Sequence, residues 1–197
     1  MDNEVEFSRI VAFSDGVFSI AITLLVLNLS LEKGLANGEV AGALWDQREH
    51  LAAFAISFAV IGRFWVIHHR FFGEVKAFDG RLIALNLFYL AWIVLIPFSS
   101  EVLGEYGDAT AGVVLYSVNI AAVVLIGVLM ATDARRAGLV AWDDSDHAQF
   151  LARGGWTAGV FLLSIPLAFL APGATPLVWL ALFVDPGGRM ARRAQAG

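Results

Sequence analysis

The sequence predicts an all-α, polytopic membrane protein of six transmembrane helices with both termini cytoplasmic. Three observations carry that reading. Of 197 residues, 58% are apolar and 16% charged, against about 45–50% and about 25% in an ordinary soluble domain. The apolar residues gather in long runs, and at about 20 residues per bilayer crossing the chain holds roughly six of them. The basic residues between the runs fall mostly on one side of the membrane. One compact unit, residues 1–197, is the expected domain organisation. The mean hydropathy of +0.72 and net charge of −5 exclude a disordered chain, which needs low hydrophobicity and high net charge.

The first run is Ile10 to Leu31, broken only by Asp15, and it is long enough to span. It lacks a basic leader and an A-x-A cleavage site, so a retained helix is expected and not a signal peptide. The second, Leu51 to Phe72, carries Arg63, His68 and His69, and the third runs from Leu82 to Ser99 past Pro97. The fourth, Ala109 to Ala131, has no charge, and the fifth, Gly154 to Ala171, has Pro166 near its far end. The sixth, Ala174 to Val184, is short, and must tilt, extend past Asp185 or sit where the bilayer is thin.

With the N-terminus inside, the inner segments hold Arg9, Arg70, Lys76, Arg81, Arg135, Arg136, Arg153, Arg189, Arg192 and Arg193, and the outer ones only Lys33 and Arg48. This is the bias of the positive-inside rule, and it requires an even number of crossings. The outer loop from Ser100 to Asp108 carries three acids and no base. The expected location is the cell (plasma) membrane, as a multi-pass protein.

Several function classes are set aside by what the chain lacks. It has no cysteine, which removes thiolate nucleophiles, Cys-ligated zinc and iron–sulfur clusters. A pI near 5.3, with 13 basic residues against 18 acidic, does not suit nucleic acid. There is no G-x-S-x-G, P-loop or dinucleotide fingerprint, so no enzyme and no cofactor is expected. His68 and His69 lack the H-E-x-x-H pattern, and Asp143, Asp144, Asp146 and His147 read as an acidic loop capping the fifth helix instead of a metal site. Gly155 and Gly159 form a G-x-x-x-G pair suited to close helix packing.

An ionisable side chain inside a span costs several kcal/mol by insertion scales of about 2.5–3.5, so each marks a candidate site. Asp15 lies about 9 Å above Arg9 and roughly 240° round the helix, so the two do not face each other. Its partner must come from another helix. Running back towards the cytoplasm, the second helix brings Trp65 and His69 to a similar depth, and Asn86 of the third lies equally far inside. Ser14, Asp15, Trp65, His69 and Asn86 can therefore converge on one inner layer. That layer reads either as a structural tie between three helices or as a proton or substrate path using Asp15, His69 and Arg63. Arg63 itself can face a water-filled cavity, pair with an acid or snorkel.

The string RIVAFSDG, with Arg9, Phe13, Ser14 and Asp15, resembles the R-x-x-x-F-S-D signature that opens the first helix of the transmembrane protein 175 family of potassium channels. Trp65 with His69, Asn86, and the Pro97–Phe98 pair fall at matching positions, so the resemblance is specific over residues 9 to 100 and architectural beyond. It implies a homotetrameric, potassium-permeable channel without a carbonyl filter, its pore lined by the first helix of each subunit. Ile20, Leu24 and Leu27, spaced on one helix face, would be apolar constriction rings, with Thr23 a pore-lining hydroxyl. The layer of Arg9, Phe13, Ser14, Asp15, Trp65, His69 and Asn86 would shape and hold the pore helix. Asn28 and Ser30 stand where the bacterial pattern has an acid and then a proline, and Glu32 follows as a candidate ring at the outer mouth. The implied partners are potassium ions, the bilayer and identical subunits. A transporter and a non-transporting scaffold are the competing readings.

Overall fold

The structure is a computed structural model and describes residues 2–183. Val184, Asp185, Arg189, Arg192 and Arg193, which enter the expected sixth span and the inner charge count, lie outside the described residues. The described chain is all-helical: α1 (Asp2–Leu24), α2 (Val40–Asp46), α3 (Arg48–Gly73), α4 (Gly80–Val94), α5 (Ile96–Glu105), α6 (Thr110–Arg136) and α7 (Asp144–Ala168). A 3-10 turn, Leu25–Asn28, ends α1, and a 3-10 helix, Pro172–Phe183, follows α7.

Five stretches are long and apolar enough to cross a membrane: Val5–Asn28, Arg48–Gly73, Gly80–Glu105, Thr110–Arg136 and Asp144–Ala168. The third is one crossing made of two helices. Pro97 lacks the N–H that would bond the carbonyl of Ile93, and the ladder breaks at Leu95 between α4 and α5. The expected sixth span corresponds to the 3-10 helix of 12 residues, which is too short to count among the five. Pro176 lacks the N–H that would bond the Pro172 carbonyl, which disfavours a regular α-helix there. This helix doubles back along α7, where Trp179 Nε1 donates to Ser164 Oγ at 2.9 Å and Trp156 Nε1 to the Ala181 carbonyl at 3.1 Å.

Caps fix the helix ends on the side expected to be inner. Asp143 accepts the Asp146 N–H at 2.8 Å and completes a capping box at the start of α7. Asp79 accepts the Leu82 N–H at 2.7 Å at the start of α4. α6 ends in a Schellman motif: Gly138 N–H bonds Arg135 O, Leu139 N–H bonds Ala134 O, and Gly138 takes the left-handed φ of 71° that this requires. The next residues pair with the α3–α4 loop through a Val75–Val140 bridge, and Arg81 meets Asp133 at 2.9 Å. The inner ends of α3, α4, α6 and α7 are thereby tied together.

The main core is built around α6, whose Val113, Tyr116, Ile120 and Val123 are wholly buried, with Ile61, Ile93, Ile96 and Phe161 packed about them. α6 and α7 form a close pair because Gly154 has no side chain, and a Cβ there would lie 2.6 Å from Val128 Cγ2. Gly155 and Gly159, the pair expected to mediate packing, face open space. The close-approach position is one residue earlier than the motif suggests.

Candidate functional site

α1 has two faces. Ser14, Phe18, Ala21 and Leu25, at helical spacing, are 0–1% exposed and set the helix against α3, α4 and α5. About a third of a turn or more away, Ile20 (60% exposed) and Leu27 (71%) stand outside the bundle with Phe13 and Leu24. Gly16, Ser19 and Thr23 are exposed on the same side, so this face mixes bulky apolar residues with small and hydroxyl ones. Thr23 Oγ1 donates to the Ile20 carbonyl at 2.9 Å, and a hydroxyl that donates in this way keeps acceptor capacity on its oxygen. In the 3-10 turn that ends α1, residues three apart eclipse, so Leu27 stands directly beyond Leu24. Asn28 Nδ2 donates to the Pro97 carbonyl at 3.1 Å and anchors this turn to the α4–α5 break.

Behind the inner part of α1 lies a directed chain of hydrogen bonds. His68 Nε2 contacts Asn86 Oδ1 at 2.8 Å, Asn86 Nδ2 donates to Ser14 Oγ at 3.0 Å, and Ser14 Oγ donates to the Ile10 carbonyl at 2.9 Å. Because an amide oxygen only accepts, His68 carries its proton on Nε2. All three side chains are buried. The imidazole is stacked on Phe72 at 4.4 Å and on Tyr89 at 5.7 Å, and meets the Phe18 edge at 5.3 Å. Its Nδ1 is buried with no hydrogen-bond partner.

Asp15 takes a separate partner. Trp65 Nε1 donates to Asp15 Oδ1 at 2.8 Å, and the indole stacks on His69 with ring centroids 5.6 Å apart. The expected convergence of Ser14, Asp15, Trp65, His69 and Asn86 is thus split into a buried Ser14–Asn86–His68 chain and a half-exposed Asp15–Trp65–His69 group. Arg9 is exposed, and among the described residues no ion pair joins it to either group. Phe13 belongs to the outward stripe, and Glu32 is exposed in the outer loop. Among the described residues no hydrogen bond or ion pair joins Arg63 to Asp15 or His69.

His68 is not in the expected set, though a signal for it exists. Ser57, Ile61, Phe64, His68 and Phe71 recur at three- and four-residue spacing on the buried side of α3. Trp65 and His69 lie on the adjacent stripe. A second buried group also falls outside the expectation: Ser57 Oγ donates to Ser100 Oγ at 2.8 Å and contacts Tyr116 Oη at 3.1 Å, while Asn119 Nδ2 donates to Ser99 Oγ at 2.9 Å. It ties α3, α5 and α6 towards the outer end.

Residues 9–97 match the family described as endosomal/lysosomal potassium channel TMEM175. A potassium channel of Streptomyces collinus is 44% identical over 101 residues, which cover 51% of this chain and 49% of that protein. The human endosomal/lysosomal proton channel TMEM175 is 31% identical over 101 residues, or 47% of this chain and 20% of that protein. The chain spans about half the length of the bacterial relatives it matches. Among solved structures, the lysosomal potassium-selective channel TMEM175 homologue from Chamaesiphon minutus has a TM-score of 0.75 at 28% identity, covering 96% of this chain and 98% of that one. A variant of the potassium channel MtTMEM175, solved in complex with a nanobody fusion protein, shares the fold, with a TM-score of 0.66 at 22% identity over 96% of this chain and 94% of that one.

These comparisons correct one expectation. The family description and the vertebrate relatives both point to an endosomal/lysosomal membrane and not to the cell (plasma) membrane. The physical reason is plain: hydropathy and loop charge set that a chain crosses a bilayer and which way round, not which bilayer. Residues 9–97 thus resemble the TMEM175 family of ion channels, and over nearly its whole length the chain is similar in fold to a solved TMEM175 homologue.

Proposed function

We propose that four copies of the chain, each a single unit over residues 1–197, assemble around α1 into a potassium-permeable channel. The observation that supports this best is the outward stripe of α1. Ile20, Leu24 and Leu27 stand out from a helix whose opposite face is fully packed, and hydroxyls of Ser19 and Thr23 share their side. A lipid-facing stripe needs no such hydroxyls, and a four-fold axis along it would give stacked rings. Narrow apolar rings close a pore by dewetting, and Thr23 oxygens would meet a partly stripped cation. Glu32 from four subunits would gather cations at the outer mouth.

In this reading Asp15, Trp65, Ser14, Asn86 and His68 hold the pore helix in register and do not bind the permeating ion. No cofactor is needed. The segment Pro172–Phe183, returning along α7, begins a sixth crossing that puts both termini on the cytoplasmic side. The names of the bacterial relatives support potassium as the ion.

The test is flux into liposomes holding the purified full chain, with its tetrameric mass verified in detergent. Wild type is expected to pass potassium, and Ile20→Asn and Leu27→Asn to pass more, because a polar ring stays wet. No cation flux in any of the three, or proton flux without potassium flux, overturns the proposal.

A further inference from the structure

A groove of 1210 Å³ runs down the inner half of the bundle between α3 and α7, with no residue of α1 in its lining. It exists because α3 packs on α1 and α5 while α7 packs on α6 and the 3-10 helix. Its lining is mixed: Val60 and Ile67 of α3 lie opposite Phe161 of α7 with Val124 of α6 at the back, while Glu74, Asp146, Gln149 and Arg153 line the inner end. Gly127 keeps the back wall low where Tyr89 crosses it.

Two of the three lining arginines come from α3. Arg63 and Arg70 are seven residues apart, hence on one face of α3 about 10 Å apart along its axis, and both line the groove. Arg63 sits ten residues before the end of α3, about 15 Å into a hydrocarbon core about 30 Å thick. A guanidinium at that depth needs an anion or water, or must snorkel to the interface. Among the described residues the ion pairs engage Arg48, His50, Arg81 and Arg135, and neither Arg63 nor Arg70. Of the acids in the lining, Asp146 is committed to the α7 capping box and Glu74 lies beyond the end of α3. Arg153 lines the same inner end.

A second copy of the chain is a poor complement. Within the apolar runs of all the spans the one acid is Asp15, which already accepts from Trp65. A phospholipid brings the missing charge at the right height and an acyl chain for the walls. We propose that this groove is a binding site for an anionic glycerophospholipid, its phosphate held by Arg70 with Arg63 reaching up from below and an acyl chain lying along Val60, Ile67 and Phe161. This rests on the chain crossing a membrane and not on its conducting ions.

The experiment is native mass spectrometry of the full chain titrated with phosphatidylglycerol, phosphatidylcholine or inorganic phosphate, with thermal unfolding alongside. Wild type is expected to retain phosphatidylglycerol in preference to phosphatidylcholine and to gain nothing from phosphate. Arg63→Gln with Arg70→Gln should weaken that retention roughly 30-fold, about fivefold per arginine, and the corresponding lysine pair should keep most of it. Equal retention of the two lipids by wild type, which needs no variant to fold, overturns the proposal, as does equal phosphatidylglycerol retention by the glutamine pair. The chain has no cysteine, so Val66→Cys supplies a unique thiol in the groove. Its crosslinking to a second copy would show the groove to be a subunit interface and would also overturn the lipid reading. Channel flux failing in liposomes would leave these outcomes untouched.

Discussion

Asn86 joins three helices through one amide, accepting from His68 on α3 and donating to Ser14 on α1. Leucine there would leave a buried imidazole N–H without an acceptor and take the donor from Ser14. Measured polar contacts in membranes are modest, so Asn86→Leu is expected to cost about 2 kcal/mol, the middle of the range for orphaned buried groups. Trp65→Phe removes one bond to Asp15 at a half-exposed position and should cost about 1 kcal/mol or less. Thermal unfolding of both variants in detergent checks the order, and equal losses would mean that burial does not separate the two groups. The sequence made Ser14, Asp15, Trp65 and Asn86 visible because each is a polar residue at a matching depth. It did not separate His68 from His69, since adjacent residues differ by about 100° round a helix and the choice depends on where neighbouring helices stand.

At the scale of elements, α7 offers a comparison between adjacent glycines. A Cβ at Gly154 lies 2.6 Å from Val128, whereas at Gly155 it meets nothing. Gly154→Ala should therefore destabilise by about 1–3 kcal/mol, as overpacking does, while Gly155→Ala should be neutral or stabilise by up to about 1 kcal/mol through helix propensity. A melting curve for each decides it, and a reversed order would show that α6 and α7 are not packed at Gly154. The cap of the same helix has an acid-side signature. The Asp146 backbone N–H, followed by the Ser145 hydroxyl, holds the Asp143 carboxyl below the usual carboxylate range. A depressed folded value means the stabilisation is present above about pH 4 and is lost as pH falls through the lower folded value. Asp143→Asn keeps a capping oxygen without a titrating proton, so it should flatten the acid limb of the stability profile and leave neutral pH nearly unchanged.

For the whole molecule, hydropathy and loop charge made five crossings and their alternation legible, because a bilayer imposes length and side on each run independently. What they did not show depends on contacts between runs: the split polar layer, the groove beside Arg63 and the 3-10 return after α7. The structure gathers Lys76, Arg81, Arg135 and Arg136 near one end of the bundle through the paired inner loops. The outer end instead carries Glu101 and the His50–Glu105 pair at 3.3 Å. A pore along α1 would then have Glu32 at one mouth and the Asp15 layer near the other, so orientation decides which side meets the acidic ring. A chain without cysteine makes this directly measurable. In sealed vesicles with the outer face exposed, a membrane-impermeant maleimide should label Glu32→Cys and Glu101→Cys, and should reach Lys76→Cys only after permeabilisation. Labelling of Lys76→Cys in intact vesicles, with the other two protected, would reverse the topology and move the candidate cation-gathering ring to the cytoplasmic mouth.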